Sequence, residues 1–417
     1  MRVCFVALSN SDVGGVGGEV DGFSGRWLNV LRSLRGDHDV TALEICRRTG
    51  GAPPTWAGDV PVATVVVPFG RGSRGDRAAR LVRRGLGPRP VMPWERRLGA
   101  ALAAQQPDLV VLLTYRRADL ARTIAASFPT VLFAEEEVAE GQEGWGTAHG
   151  LVGAAEAITL RRAVRRVAAV AVIGPRERQW AARTFGKPVV VVPHSLDREF
   201  WSAGVAEDVG GAATEVGLAD EGNTEPPPVR DVFVIGNFSA GRNAEGLAAI
   251  ARELSQRPAG SRPRLLVASA TPPAPALEAV LGGVVSWLGR VDDPRPLYRS
   301  AGVTLVPAFA VSGVKTTVLQ GWAMRCPVVA TAPAAASVGG IDGFDLLAAD
   351  NAAGVVGCLY RALGDEALRA RLVHNGLRSL EARHGPQAVS LGLHELFGIA
   401  VATGMSGLRR PAEPRRP

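Results

Sequence analysis

Residues 307–331, PAFAVSGVKTTVLQGWAMRCPVVAT, combine an apolar run, a glycine-containing loop and a predicted helix that starts near Lys315. At helical spacing Ser312, Thr316 and Gln320 share one face, because each lies four residues after the previous one. The unpaired N–H groups at a helix start and the positive end of its dipole attract phosphate, and Lys315 adds a full positive charge. A diphosphate site and a simple βαβ crossover with a solvated polar face explain this segment equally well.

Three further groups of polar or flexible residues follow predicted strands. Gly14 and Gly15 belong to a glycine-rich loop, whose backbone can approach a sugar or phosphate closely, or which is simply mobile. Glu135 and Glu136 offer a carboxylate that orders an acceptor hydroxyl or acts as a base, with a solvated acidic loop as the alternative. His194 follows another strand, where it either meets donor phosphates or serves as a structural histidine.

Short runs of Val, Ile and Leu alternate with amphipathic stretches, a pattern typical of βα units around a parallel sheet. Residues 203–230 interrupt this alternation with a Pro triplet and no periodicity, which predicts an interdomain linker. The fold class is therefore α/β, with two Rossmann-like doubly wound domains facing a cleft and ligands at the carboxyl ends of the strands. Periplasmic binding proteins and some epimerases share this layout, so it does not name the function.

The pattern predicts strands at 3–8, 39–45, 62–67, 109–113, 130–133, 169–173, 189–192, 232–235, 264–268, 284–288, 303–306 and 328–330. Helices are predicted at 24–34, 118–126, 154–167, 244–254, 294–300, 316–324 and 352–363. The expected domains are residues 1–202 and 231–385, followed by a helix at 386–405 and a disordered tail at 406–417. The apolar face expected for that last helix consists of Leu391, Leu393, Leu396, Phe397 and Val401.

Composition narrows the class of protein. The chain has 417 residues and a formal charge of +7, and Lys187 and Lys315 are its only lysines, which indicates a GC-rich, bacterial coding bias. Its charge is not clustered into a recognisable nucleic-acid-binding module, so nucleic acid is not an expected partner. The four cysteines are scattered, and neither a signal peptide nor a spanning segment is evident, which favours a cytoplasmic protein with reduced thiols.

The stretch from Arg71 to Arg97 holds nine arginines against Asp76 and Glu95. It is interpreted as a solvated loop and helix, because its apolar positions are too sparse for a membrane-bound helix. The alternative is peripheral contact with anionic lipid headgroups at the inner face of a membrane, or with a phosphorylated acceptor.

The 307–331 segment resembles the donor-site motif of the family 4 (group 1) glycosyltransferases, which have the GT-B fold. That motif has two Glu residues eight positions apart and then an A-x-G-x-P-V-V-A run, whereas this chain has Ser312, Gln320 and GWAMRCPVVA. In the family the second Glu holds the ribose hydroxyls of the nucleotide, and the first contacts the donor sugar. The resemblance implies that Gln320 accepts one hydrogen bond and donates another, and that Ser312 replaces part of the first Glu.

Other segments resemble the family in the correct order along nearly the whole chain. The strand-turn-helix that meets the diphosphate in the family is similar to VFVIGNFSAGRNAEGLAAIA, in which Arg242 is the basic residue. The part of the family fold that packs against the base is similar to GRVDDPRPLYRSAGVTLVP. VVVVPHSLDREFW resembles the run that closes the N-terminal domain, with His194 in the place of Asn. The implied donor site comprises Gly14, Gly15, Asn237, Ser239, Arg242, Arg290, Val291, Ser312, Gly313, Val314, Lys315, Thr316 and Gln320, with Glu135, Glu136 and His194 as catalytic candidates.

The resemblance implies transfer of a sugar from a nucleotide-sugar donor to a small-molecule or lipid-linked acceptor, with retention at the anomeric carbon. It also implies that the helix at 386–405 returns to the N-terminal domain. No cofactor or metal is expected, because the histidines lack metal-ligand spacing and the positive groups can carry the phosphate charge. A catalytically silent homologue that binds a nucleotide sugar or a partner enzyme remains an alternative, as does a nucleotide-sugar epimerase or hydrolase.

Overall fold

The computed structural model describes residues 1–8, 30–31, 34–46, 60–66, 93–113, 118–134, 164–197, 200–201, 231–238, 241–273, 284–311 and 313–407. The chain divides into two compact units, Met1–Ser195 with His384–Pro417, and Leu196–Arg383. The expected linker at 203–230 lies outside the described residues, and so does the tail from residue 408 onward.

The first unit contains a parallel sheet of seven strands in the order β3-β2-β1-β4-β5-β6-β7. Most of its strand residues are apolar and buried, as in a sheet covered on both faces. Its strands are β1 (Arg2–Leu8), β2 (Asp39–Cys46), β3 (Val62–Val66), β4 (Leu109–Leu112), β5 (Thr130–Ala134), β6 (Ala169–Val172) and β7 (Val189–Val191). The described helices before the second unit are α1 (Pro93–Gln105), α2 (Ala118–Ile124) and α3 (Pro175–Phe185).

The second unit contains a parallel sheet of six strands in the order β10-β9-β8-β11-β12-β13. Its strands are β8 (Val232–Ile235), β9 (Leu265–Ala268), β10 (Val285–Gly289), β11 (Val303–Val306), β12 (Val328–Thr331) and β13 (Leu347–Ala349). Its helices are α4 (Gly241–Ser255), α5 (Arg295–Ser300), α6 (Thr316–Ala323), α7 (Ala332–Ser337), α8 (Ala352–Gly364) and α9 (Glu366–His384), the last of which ends at the first residue of the other unit.

The predicted α/β class with two Rossmann-like sheets is confirmed, and each predicted strand is present to within one residue at either end. The predicted helices at 24–34 and 154–167 lie mostly outside the described residues. The sequence pattern missed β13, α1, α3, α7 and α9. The strand β13 has only three residues, which is too short for a hydrophobic run to stand out from the neighbouring alanines.

The last helix, α10 (Pro386–Gly407), packs against β4, β5, β6 and β7 of the first sheet. Its buried residues follow the helical repeat and comprise Val389, Leu393, Leu396, Phe397 and Ala400. The prediction that Leu391 and Val401 belong to this face is wrong, since their exposed fractions are 65% and 43%. Gly392 lets the helix approach β7, because a Cβ there would lie 2.6 Å from the Val191 carbonyl oxygen.

A buried carboxylate stabilises the end of the second unit. Asp345 is fully buried, and its side chain accepts hydrogen bonds from Ile341 N at 2.7 Å and Ser379 Oγ at 2.7 Å. The guanidinium of Arg383, the last residue of this unit, lies 3.2 Å from the same carboxylate. These bonds fix the loop before β13 against the last turn of α9.

Candidate functional site

The strand order of the second sheet makes β8 and β11 neighbours at a topological switch point. β11 pairs in parallel with β8, with Val303 opposite Val232 and Thr304 opposite Phe233. The chain leaves β8 towards one end of the sheet order and leaves β11 towards the other. The segments that follow these two strands therefore start next to each other at the carboxyl edge, which is where doubly wound sheets bind ligands.

Lys315 is the N-cap residue of α6 and connects three segments of this edge. Its side chain makes no capping bond, and its Nζ donates instead to Asn243 Oδ1 at 3.3 Å, in the first turn of α4. Its backbone N–H donates to Ser337 Oγ at 3.1 Å, and Ser337 is buried at the end of α7. A lysine side chain therefore lies where the starts of α4 and α6 meet, and both helix dipoles are positive there.

A chain of amides and hydroxyls continues from Lys315 across the edge of the sheet. Asn243 Nδ2 donates to the Asn237 carbonyl at 3.4 Å, and Thr271 Oγ1 donates to Asn237 Oδ1 at 3.2 Å. Asn237 is exposed to solvent. Asn243, Thr271 and Ser337 were not among the predicted site residues, because only the sheet order brings them to Lys315.

Two glycines permit this arrangement. A Cβ on Gly246 of α4 would lie 1.6 Å from the Pro307 carbonyl oxygen, so only glycine lets this helix approach the end of β11. Gly313 has a φ of +66°, a left-handed conformation that glycine adopts without strain. Val314 beyond it is half-buried against the cluster that contains Trp322, so its side chain supports the loop.

Gln320 is half-buried on α6, and its Oε1 accepts a hydrogen bond from Tyr298 Oη at 2.9 Å. Tyr298 is 1% exposed, and burial, with the nearby Cys326 as a smaller cause, raises the pKa of its phenol well above the usual value. The phenol therefore stays protonated and donates. Thr316 starts the same helix and is half-buried.

Arg290 and Val291 follow β10. Arg290 is exposed, and its Nε lies 3.1 Å from Asp292 Oδ1 in the same loop. Val291 is half-buried against the cluster that contains Trp201 and Tyr298. The Arg290 guanidinium is therefore paired with a carboxylate in the same loop, and only part of the Val291 side chain is exposed to solvent.

His194 belongs to the first unit and is buried at 8% exposure. Its backbone carbonyl accepts a hydrogen bond from His384 Nδ1 at 2.8 Å, which ties the residues after β7 to the start of the segment leading into α10. Gly14, Gly15, Glu135, Glu136, Ser239 and Ser312 lie outside the described residues, as does the side chain of Arg242.

Within the described residues, no group of three or more His, Cys, Asp or Glu side chains is arranged to hold a metal ion. None of the helices in this described part of the chain is long and apolar enough to cross a membrane. The arginine-rich stretch is described only from residue 93, where α1 begins and where Leu98 and Leu102 are buried in the core.

Comparisons with known proteins bear on the fold of the chain and on its family resemblance. Residues 229–365, which lie wholly within the second unit, match the family model described as "Glycosyl transferases group 1". HepE from Anabaena, solved with UDP and glucose, superposes with a TM-score of 0.63 at 13% identity, covering 95% of this chain and 99% of that chain. The protein has the GT-B fold and resembles the group 1 glycosyltransferases.

Two further GT-B structures show the same likeness. Sucrose-phosphate synthase from Thermosynechococcus elongatus has a TM-score of 0.64 at 14% identity, over 96% of this chain and 99% of that chain. The third structure is the G117R mutant of TarM from S. aureus in complex with fondaparinux, alpha-GlcNAc-glycerol and UDP. It has a TM-score of 0.61 at 6% identity, covering 96% of this chain and 99% of that chain. The comparison with curated proteins gave no match.

The glycine of the GT-B A-x-G-x-P run is replaced by Arg325 in this chain. Arg325 has a φ of +54°, a left-handed conformation at the end of α6 that favours glycine.

Proposed function

We propose that this protein transfers a sugar from a nucleotide-sugar donor to a small-molecule or lipid-linked acceptor, with retention at the anomeric carbon. The observation that carries the proposal is the contact between Lys315 and Asn243, which places a lysine ammonium between two helix starts at the switch point of the second sheet. Such a site suits a diphosphate, because two helix dipoles and one full charge act on the same ligand. The group 1 family match covers the same unit.

In this proposal the diphosphate binds to Lys315 and to the first turns of α6 and α4, the latter containing Arg242, and Ser239, Ser312 and Gly313 also contribute. These groups stabilise the negative charge that develops on the leaving diphosphate, since they are already oriented before the reaction. No metal is needed for that step when preorganised positive groups carry the charge.

We propose the contacts of the rest of the donor from the resemblance to the group 1 glycosyltransferases. Gln320 contacts the pentose, while Arg290 and Val291 lie beside the base. Gly14, Gly15 and His194 of the first unit contribute to donor binding, and Glu135 or Glu136 orders the acceptor hydroxyl or acts as its base. The protein works in the cytoplasm, and contact with the inner face of a membrane through the stretch from Arg71 to Arg97 would suit a lipid-linked acceptor.

The decisive experiment is a calorimetric titration with nucleoside diphosphates, followed by product analysis with nucleotide sugars. We expect a nucleoside diphosphate to bind more tightly than its nucleoside, and a sugar to move from the donor to an acceptor. Absence of nucleotide binding would refute the proposal.

A second candidate function is supported by the side chains at the two acidic positions of the motif. Ser312 and Gln320 replace both acids, and the Gln320 oxygen already accepts from Tyr298. A chain that binds the nucleotide sugar without transferring it would give tight binding and no product in the same experiment. Release of free sugar, or a changed sugar, without any acceptor would instead indicate a hydrolase or an epimerase.

A further inference from the structure

Tyr298 is held in place from two sides within the second unit. Its ring makes an edge contact with Phe233 of β8 at a centroid distance of 4.8 Å, and another with Trp201 at 6.0 Å. With 1% of its surface exposed, the ring has no room to move away from α6. The position of its hydroxyl group is therefore set by the core and not by a ligand.

That hydroxyl determines how the Gln320 amide is oriented. Because Tyr298 donates to Oε1, the amide oxygen faces Tyr298 and the Nε2 group faces away from it. Among the described residues, Tyr298 is the side chain that bonds to this amide. An amide oxygen has two lone pairs, so one acceptor position on Gln320 remains for a ligand.

We propose that Tyr298 is a positioning residue that limits Gln320 to one acceptor position, so that the site binds ribonucleoside and 2′-deoxyribonucleoside diphosphates with nearly equal affinity. The inference rests on the proposed function, in which Gln320 contacts the pentose. It adds the class of nucleotide that the site accepts and a residue that sets this preference.

The physical reason is that the two pentose hydroxyls compete for a single acceptor. When the 2′-hydroxyl is absent, the 3′-hydroxyl still donates to this position and its oxygen can accept from Nε2 of the same amide, so Gln320 loses no hydrogen bond to the pentose. A carboxylate at residue 320 would have a second oxygen that Tyr298 does not contact, and it would accept from both hydroxyls through stronger, charge-assisted bonds.

The test compares the four common ribonucleoside diphosphates with their 2′-deoxy counterparts by calorimetry. For each base that binds, we expect the wild-type affinities of the ribo and deoxy forms to differ by less than about threefold, the lower end of one neutral hydrogen bond. In Gln320→Glu the ribonucleoside diphosphate should bind more tightly than it does to the wild type. The ratio of ribo to deoxy affinity should rise to about tenfold or more, as expected for one charge-assisted bond.

Tyr298→Phe tests the positioning role directly. Without the hydroxyl the amide can turn its oxygen, with both lone pairs, towards the pentose, so the ribo-to-deoxy ratio should rise about threefold above the wild-type value. Trp201→Phe is the matched control, because it loosens the same packing but leaves the hydroxyl of Tyr298 in place. Both variants should lower the thermal midpoint, and only Tyr298→Phe should change the ratio.

Each outcome decides between the proposals. A wild-type ratio of about tenfold or more, or a ratio that moves equally in Tyr298→Phe and Trp201→Phe, would overturn the inference and leave the proposed function intact. Absence of binding by every ribo and deoxy nucleotide would overturn both. If Tyr298→Phe does not fold, Gln320→Glu still decides, since an unchanged ratio in that variant would show that residue 320 does not select the pentose.

Discussion

Lys315 Nζ and Asn243 Oδ1 lie 3.3 Å apart, although the two residues are separated by 72 positions in the sequence. The contact joins the N-cap of α6 to the first turn of α4. It exists because β8 and β11 are neighbours at the switch point of the sheet. One cation can therefore serve a ligand that touches both helix starts.

Replacing Lys315 by Ala should weaken binding of a nucleoside diphosphate by about tenfold or more, the scale of a charge-assisted hydrogen bond. Binding of the nucleoside should change by less than about twofold, because it has no phosphate for the ammonium to meet. Calorimetric titration of both ligands checks this.

The chain contains one other lysine, which serves as the control for this prediction. Lys187 lies in the first unit beside β7, and Lys187→Ala removes the same charge without touching the second sheet. Equal loss of affinity for nucleoside and nucleoside diphosphate in Lys315→Ala would contradict the placement of the phosphates.

Gly392→Ala should loosen α10 from the first sheet. A Cβ at residue 392 would lie 2.6 Å from the Val191 carbonyl oxygen and 3.2 Å from Val192 Cα, so the helix or β7 must shift. Overpacking of this kind costs about 2 kcal/mol. Amide hydrogen exchange along α10 should become faster.

Gly398→Ala is the matched change on the same helix. Gly398 is exposed and has no atom within 4 Å of the added Cβ, so only the higher helix propensity of Ala acts. This variant should slow exchange along α10, with a gain of about 1 kcal/mol. A similar response of both variants would show that the contact with β7 does not hold the helix.

Arg325→Gly should raise the thermal midpoint. The left-handed φ of +54° costs a residue with a side chain about 1 kcal/mol relative to glycine. Gly343→Ala provides the reverse case, because its φ is +74° and the added Cβ would meet no atom within 4 Å. The thermal midpoint of Gly343→Ala should fall. A fall in the midpoint of Arg325→Gly would indicate that the contacts of the arginine side chain stabilise the protein by more than its left-handed backbone destabilises it.

His38 should make the first unit less stable in mild acid. Burial lowers the pKa of His38 from its usual 6.5, and the N-terminal amine and His394 lower it further, whereas Asp37 acts in the opposite direction. Because the unfolded chain binds the proton more readily, this contribution to stability is complete above pH 6.5. It is lost as the pH falls through the lower folded value.

The measurement is the thermal midpoint of the wild type and of His38→Phe at a series of pH values from about 7 to about 5, where histidine titrates. Phenylalanine keeps an aromatic ring against Phe397, which His38 meets at a centroid distance of 5.7 Å, but it does not titrate. The wild-type midpoint should fall more steeply than that of the variant. Parallel curves would show that His38 does not contribute to the pH dependence.

Much of the fold could be predicted from local patterns. Buried parallel strands need continuous runs of Val, Ile and Leu, so such runs as those of β8 and β11 locate strands without knowledge of their neighbours. The polar helix start at Lys315 could be recognised in the same way, since capping and dipole effects act within one turn. Short elements such as β13 could not be predicted, because three residues are too few to show a hydrophobic pattern.

The sequence by itself therefore determined the α/β class, the strand positions and the candidate residues Lys315 and Gln320. Only the tertiary structure decided which groups surround them. Asn243 and Tyr298 reach these two residues through strand order and core packing, which join positions far apart in the chain. Helical spacing relates residues a few positions apart, whereas hydrogen bonds across a sheet edge depend on which strands are neighbours.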